Sequence, residues 1–405
     1  MPVKTQAHSN DLSNTRKSDY EKATLIDLRV APFPYVPDSV GDQYKSLFQF
    51  IIDEFQSIHP NIRLHLRPFN ISDGFYAMST LTQWLGSNGP EYDVVEVDTV
   101  MLGDLVNAGL IAPQRPTLKQ VFDWHSAAAT SIEFNQAAYA YPHLMCATFL
   151  FTRDDKTAQV STIDQLIDVL GSKATVNYRL VGNLDSSWVL PSRLIHCFQD
   201  SNDPQSNNAA FALHGYEHSS FECVRKLARL CDRIRGENHC LDGTFDQNSD
   251  MPALLFANKQ ADSMFAYSEQ LSTILKNGAH DDYNKIKLIP FPAGTLHNQP
   301  LFAVDAYVFR RNMSDDVLNA AQAFVEFMAT PRMQAAVVAT GDDTNGSSVP
   351  RYLLPISKKA YDESLLIHNR FYQDFFRNLT GYPLPNTGFF NTRKEIQRTL
   401  LNYIQ

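Results

Sequence analysis

The sequence predicts an α/β protein of two lobes, built on mixed, mainly parallel sheets. The chain has 405 residues, of which 44% are hydrophobic and 20% are charged, so it has enough material for more than one buried core. At about 150 residues per domain, this length favours two or three domains. Strand-like and helix-like segments also alternate in the first part of the chain, which is the order that produces parallel sheets.

The first part of the chain gives the clearest elements. Residues 24–33 (TLIDLRVAPF) are an apolar run typical of a strand buried on both faces. A helix over 44–55 follows, because its apolar residues recur at spacings of three and four. Further strands are predicted at 62–67, where apolar and basic residues alternate, and at 92–100 (YDVVEVDTV). A helix that ends near Gly109 follows directly.

The rest of the chain predicts two strands that pass between lobes. Residues 138–155 are apolar and extended, and a second extended region runs from 285–294 through the segment that contains Asp305. Helices are predicted at 162–170, behind a Ser/Thr cap, and at 221–234. A helical run at 315–340 is expected to be divided in two by Pro331.

Composition limits the kinds of partner. Lys and Arg total 35 against 44 Asp and Glu, and this net charge of −9 argues against nucleic acid or an anionic membrane as the main partner. No apolar segment approaches the roughly 20 residues that span a bilayer. Residues 1–22 are polar and lack the apolar centre of a secretory signal, so they are expected to be a flexible tail on a cytoplasmic protein.

The cysteine pattern argues against a disulfide framework and against a metal site. The five cysteines are an odd number and include no Cys-x-x-Cys pair. His239 and Cys240, with His214 and His218, do not have a common zinc spacing. No glycine-rich phosphate loop occurs either. We therefore expect no metal and no cofactor.

Five short pieces of the chain form a recognisable set: PYVPD at 34–38, YDVVEVDTVML with LVNAGLI at 92–111, YPHLMCATFLFTR at 141–153, FAYSEQL at 265–271, and PLFAVD at 300–305 with YLLP at 352–355. Together they resemble thiaminase type I (thiamine pyridinylase), a family with the type II periplasmic binding-protein fold. The resemblance implies two α/β lobes with a ligand cleft between them. One lobe would contain residues 23–144 and 305–350, and the other residues 145–304 and 351–405.

The resemblance implies that Cys146 is a nucleophile and Glu269 its acid–base partner. From the residues alone, a cysteine in LMCATFLF is more often a buried small hydrophobe. A glutamate that follows serine at the start of a helical stretch, as in SEQLSTIL, is likewise more often an ordinary residue of a helix N-terminus. A cysteine adds to an electron-poor ring only as thiolate, so it needs a base nearby.

The resemblance also implies that Asp98, Asp305, Tyr35 and Tyr267 bind the substrate. The carboxylates would suit an amine or a cationic thiazolium, and the tyrosines would flank its rings. The alternatives are ordinary strand-end acids and, for Tyr35, packing of a proline-rich loop.

Two neighbouring features complete this comparison. Asp93 and Glu96, in the same predicted strand as Asp98, are assigned structural or surface roles. Phe33 and Ala303 stand where bacterial members tend to have tyrosine, so the predicted cleft has two fewer hydroxyl groups.

The implied reaction displaces the thiazole of thiamine by a nucleophile, which is an amine, a thiol or water, and the protein is expected to be a monomer. A binding protein of the same fold, without reaction, is the main alternative. Sugar binding is a weaker alternative, because such clefts favour tryptophan and the chain has only Trp84, Trp124 and Trp188. A cysteine hydrolase would need a histidine partner at a recognisable spacing, which the sequence lacks.

Overall fold

The computed structural model describes residues 25–32, 36–67, 74–86, 89–114, 123–172, 177–201, 218–231 and 238–404. Its strands are β1 (Ile26–Ala31), β2 (Ile62–Leu66), β3 (Val94–Asp98), β4 (Glu133–Phe134), β5 (Ala137–Ala138), β6 (Tyr141–Thr152), β7 (Tyr178–Val181), β8 (Ala261–Tyr267), β9 (Lys287–Pro290), β10 (Leu301–Phe309), β11 (Leu354–Pro355) and β12 (Tyr382–Pro383).

The longer α-helices are Lys45–Ile58, Met78–Leu85, Leu102–Asn107, Ser126–Ser131, Ile163–Gly171, Val189–Ser201, His218–Leu230, Met251–Ala257, Gln270–Asn277, Asp315–Met328, Pro331–Val338, Arg370–Phe376 and Phe389–Ile404. Within the described ranges, none of the helices combines the length and the apolar character that a membrane span requires.

The strands form a mixed sheet whose main order is β2-β1-β3-β10-β6-β8-β7. At one end, β1 lies parallel to β2 and to β3, and at the other end β7 lies parallel to β8. The two central strands, β6 and β10, run antiparallel to their neighbours β8 and β3 and to each other. Parallel units at both ends, joined by long antiparallel strands, confirm the predicted two-lobed α/β fold.

The strand β6 belongs to both lobes. Its residues 141–147 pair with β10, and its residues 148–152 pair with β8 and β9. The strand β10 in turn continues outward to β3 through residues 305–309. These are the two crossing strands that the sequence predicts, and the residues at which the lobes divide remain a prediction.

Local sequence signals account for several helix ends. The Thr162 side chain accepts a hydrogen bond from the Gln165 backbone N–H, which caps the helix Ile163–Gly171. The predicted division at Pro331 is confirmed, because one helix ends at Met328 and the next begins at Pro331. Gly109 adopts a φ of 68° just beyond Asn107, where a left-handed residue ends a helix.

The prediction against disulfides is wrong. Cys197 is bonded to Cys223 and Cys231 to Cys240, with sequence separations of 26 and 9. The first bond joins the helices Val189–Ser201 and His218–Leu230, so the pairing follows from helix packing and not from a local motif. Cys146 is the free cysteine.

Candidate active site

Cys146 lies at the point where the two central strands are only partly buried. It is the one residue of β6 that is not buried, and Ala303 is the one residue of β10 that is not buried. The two residues are direct partners across the antiparallel pair. Paired residues place their side chains on the same face, so an accessible spot on the sheet has the Cys146 thiol and the Ala303 methyl group side by side.

The strand register brings two carboxyl groups to the same face. Asp305 follows Ala303 by two residues in β10, and residues two apart share a face. Asp305 also pairs directly with Asp98, the last residue of β3. Both aspartates are buried, with 6% of each residue exposed. The Val100 N–H donates a hydrogen bond of 3.0 Å to Asp98, and Tyr76 also hydrogen-bonds to this carboxyl group.

Glu269 reaches Cys146 from the neighbouring strand. The strand β8 ends at Tyr267, and the next residue, Ser268, donates its backbone N–H to the Ala147 carbonyl at 2.9 Å. This bond holds the following residue beside Cys146, and the Cys146 thiol hydrogen-bonds to the Glu269 carboxyl group. The helix Gln270–Asn277 begins directly after Glu269, in agreement with the predicted helix start.

Burial shifts the pKa of every acidic group in this cluster. It raises the pKa of Glu269 to about 7 and that of Asp98 to about 6, and it raises the pKa of Asp305 well above its ordinary value. Burial, with the neighbouring Glu269 and Asp305 carboxyl groups, also raises the pKa of the Cys146 thiol. Four acidic groups around one spot repel each other when ionised, so a cation placed there would favour their ionised forms.

Tyr267 borders the same cluster and contacts a buried cation. Its side chain hydrogen-bonds to Arg193, whose Nη2 atom donates to the Thr148 hydroxyl at 2.5 Å. Burial raises the pKa of the Tyr267 hydroxyl, with a smaller rise from the charges of Cys146 and Glu269. Arg193 is 1% exposed, and burial lowers its pKa to about 10. A neutral phenol held by an arginine therefore lies beside the thiol.

Tyr35 and Phe33 lie outside the described residues. The loop that follows them is described, and Arg351, which is distant in sequence, holds it by a hydrogen bond. The Arg351 Nε atom donates to the Pro37 carbonyl at 3.0 Å, and its two Nη atoms each lie 2.8 Å from an Asp342 oxygen.

The sequence did not indicate three residues that contact this cluster or its surroundings. Tyr76 lies in an irregular segment with no periodic signal, and Arg193 ends the polar, glycine-containing stretch 181–193, which carries no motif. Arg351 precedes the YLLP segment, where a single arginine has no distinguishing pattern. Among the acidic residues assigned structural roles, Asp93 is ion-paired with Arg29 and Arg310, as expected for such a role.

Comparison with known proteins identifies the family. The sequence profile of the bacterial extracellular solute-binding proteins matches residues 51–358. The chain belongs to this family. No curated protein sequence matches it significantly.

Solved structures with the same fold include enzymes and binding proteins. Thiaminase I from Bacillus thiaminolyticus is 19% identical with a TM-score of 0.72, and Clostridium botulinum thiaminase I in complex with thiamin is 17% identical with a TM-score of 0.74. Each match covers 93% of this chain and 100% of the other. Maltose-bound MalE3 of T. maritima is 15% identical with a TM-score of 0.67, and the match covers 94% of each chain. At these identities the similarity establishes the fold.

The family corrects the predicted cytoplasmic location. Its members are described as extracellular, so the cytoplasmic prediction is wrong. The two disulfides agree with this correction, because such bonds persist in oxidising compartments. The prediction failed because it relied on the polar character of residues 1–22 and on the sparse cysteines.

Proposed function

We propose that this protein degrades thiamine, using Cys146 as a nucleophile and Glu269 as its acid–base partner. The observation that carries the proposal is the hydrogen bond between this thiol and this carboxyl group at the accessible spot of the crossing strands. Glu269, with its pKa raised to about 7, is suited to accept the thiol proton near neutral pH and to return a proton later.

The proposed reaction conserves charge and protons in each step. Glu269 takes the Cys146 proton, and sulfur forms a bond to an electron-poor carbon of the aminopyrimidine ring while the electron pair of a ring π bond moves onto a ring nitrogen. That pair then forms a double bond to the bridging methylene as the bond to the thiazolium nitrogen breaks, and the electron pair of the broken bond leaves with a neutral thiazole. An amine, thiol or water adds at the methylene, returns the double-bond pair to the ring and loses its proton to solvent. The carbon–sulfur bond breaks last as the ring π bond forms again, and the sulfur, which keeps the electron pair of that bond, recovers its proton from Glu269.

The carboxyl cluster supports a cationic substrate. Asp98 and Asp305 would interact with the substrate through its amine or its thiazolium, and Tyr267 and Tyr35 would line the rings. Because the thiazole leaves uncharged, the attraction between the carboxylates and the ligand falls once the bond is broken, which favours release of the product. The proposal requires no cofactor and treats the protein as a monomer.

A solute-binding role without reaction is the second candidate. The observation that favours it is the raised pKa of the Cys146 thiol, because a neutral thiol is a poor nucleophile. For a sugar ligand, the relevant aromatic residue is Trp188, whose ring lies 4.7 Å from that of Tyr76. Trp84 and Trp124 are buried at 5% and 7% exposure, so their faces are not available for stacking.

One experiment separates these functions. The wild-type protein, Cys146→Ser and Glu269→Gln are incubated with thiamine and aniline, and the loss of thiamine is followed by chromatography. We expect turnover by the wild type only. Glu326→Gln, which changes an exposed glutamate on the helix Asp315–Met328, is the matched control and should retain full activity.

Calorimetric titration with thiamine and with maltose completes the test. Thiamine binding without turnover by the wild type would establish the binding role. Full activity of Cys146→Ser would refute the nucleophile.

A further inference from the structure

A buried histidine lies three residues before Cys146, at an irregularity in the strand. The pairing of β6 with β10 advances regularly from Ala303–Cys146 to Asp305–Leu144, but the next partner of β10 is Pro142. His143 is therefore the extra residue of a β-bulge. Bulges redirect a side chain and are common beside active sites.

The bulge directs His143 across the central strand. Its Nδ1 atom lies 2.6 Å from Glu96 Oε1 on β3, which is two strands away, and its ring lies 4.9 Å from that of the intervening Tyr307. The Tyr307 hydroxyl also hydrogen-bonds to Glu96. The exposed fractions of Glu96, His143 and Tyr307 are 1%, 3% and 3%, so these three polar side chains are shielded from water.

Glu96 and Tyr307 lie on the same two strands as the aspartates of the candidate site. Glu96 precedes Asp98 by two residues in β3, and Tyr307 follows Asp305 by two residues in β10, on the shared face. After burial and the charge of Asp98, the charge of Glu96 is the next contribution that raises the pKa of Asp305. This effect is present with His143 in place, so a Glu96 carboxylate that lost its His143 partner would oppose ionisation of Asp305 further.

We propose that His143 is a positioning residue that offsets the charge of Glu96, so that Asp305 can carry a negative charge toward a cationic ligand. The contact between His143 Nδ1 and Glu96 Oε1 gives the buried Glu96 carboxyl group a direct partner inside the sheet. This inference rests on the proposed function, because it assumes that the ligand is the thiamine cation.

The test compares thiamine with 3-deazathiamin, a thiamine analogue that lacks the positive ring charge. Their dissociation constants are measured by calorimetry at pH 7.5 for the full chain. With His143→Gln, we expect thiamine to bind about tenfold more weakly and 3-deazathiamin to change less than about twofold, because a tenfold change corresponds to about one pKa unit at Asp305.

A double variant keeps the test independent of damage to the fold. Adding Glu96→Gln to His143→Gln removes the uncompensated charge, so thiamine affinity should recover although the protein carries one more substitution. His125→Gln changes another buried histidine, which packs against Tyr361 and Phe376 away from the cluster, and it should leave both affinities unchanged.

The remaining outcomes overturn the inference. An equal loss for both ligands, or a double variant that binds more weakly than His143→Gln, would show a merely structural role. Unchanged thiamine affinity in His143→Gln would show that the charge of Glu96 does not reach the site. If the wild type binds neither ligand, the proposed function fails, and the inference fails with it.

Discussion

Cys146 and Ala303 face each other across β6 and β10, and each is the one residue of its strand that is not buried. The partly exposed Cys146 therefore has only a methyl group beside it on the partner strand. A larger side chain at position 303 would stand on the same face, about 5 Å away.

Filling this space should block access to Cys146. In Ala303→Phe, we expect alkylation of Cys146 by a bulky maleimide to slow more than tenfold, with a smaller effect on iodoacetamide, because the added ring covers the approach to sulfur. Ala303→Ser is the control that adds little volume. Equal rates for the bulky reagent in both variants would mean that reagents reach the thiol from another side.

Glu269 should affect thiol reactivity and turnover in opposite directions. Its carboxyl group contributes, after burial, to the raised pKa of Cys146, so Glu269→Gln should lower that pKa and speed alkylation at pH 8 by about tenfold per pKa unit. The same variant should lose thiamine turnover, because the base is gone. Mass spectrometry of timed alkylation measures the first effect. A slower alkylation in Glu269→Gln would contradict the assigned electrostatics.

Glu269 should lower the free energy of unfolding above neutral pH. Burial raises its pKa from 4.5 to about 7, so the folded state binds a proton more readily than the unfolded chain within that window. Folding stability therefore falls as the pH rises from 4.5 to 7, because ionising the buried carboxyl group costs free energy.

Glu269→Gln removes this cost at all pH values. It should be more stable than the wild type at pH 8, by at most about 3 kcal/mol, and similar at pH 4. Urea unfolding at both pH values measures the difference. A stability difference that is the same at pH 4 and pH 8 would exclude ionisation as its origin.

The Arg351–Asp342 pair should be essential for stability. Each side chain is 1% exposed, and Arg351 also donates to the Pro37 carbonyl. Asp342→Asn leaves a buried, uncompensated guanidinium and should destabilise the protein by about 3 kcal/mol or more in thermal or urea unfolding. Asp374→Asn breaks the surface pair with Arg377 and should cost less than about 1 kcal/mol. Similar losses in the two variants would refute the distinction.

The disulfides can be counted directly. In denaturant without reductant, a thiol reagent should detect one thiol per chain, from Cys146, and after reduction it should detect five. Reduction should also lower the free energy of unfolding by about 2–4 kcal/mol for a bond that closes a loop of this kind. Five reactive thiols in the unreduced, denatured protein would show that the bonds do not form.

The sequence predicted those features that depend on nearby residues. The strand runs, the cap at Thr162 and the break at Pro331 follow from local periodicity and backbone preference. The end of β3 at Asp98 and the start of the helix beside Glu269 were also identifiable from the sequence.

Features that depend on tertiary packing were not predictable from the sequence. The pairing of Cys197 with Cys223 requires knowledge of which helices touch. The bulge at His143 depends on the register between β6 and β10, and the burial of Arg193 depends on where its helix docks. None of these has a periodic or motif-like signal in the chain.

The strands that carry Cys146 and Asp305 are also the mechanical link between the lobes. A rotation of one lobe against the other must twist or bend β6 and β10, and these residues lie within the length that deforms. Under the proposed function, opening of the cleft and alignment of Cys146 with Asp305 would thus be a single movement. A variant with a flexible linker in place of either strand would lose the preorganised geometry even if both lobes folded.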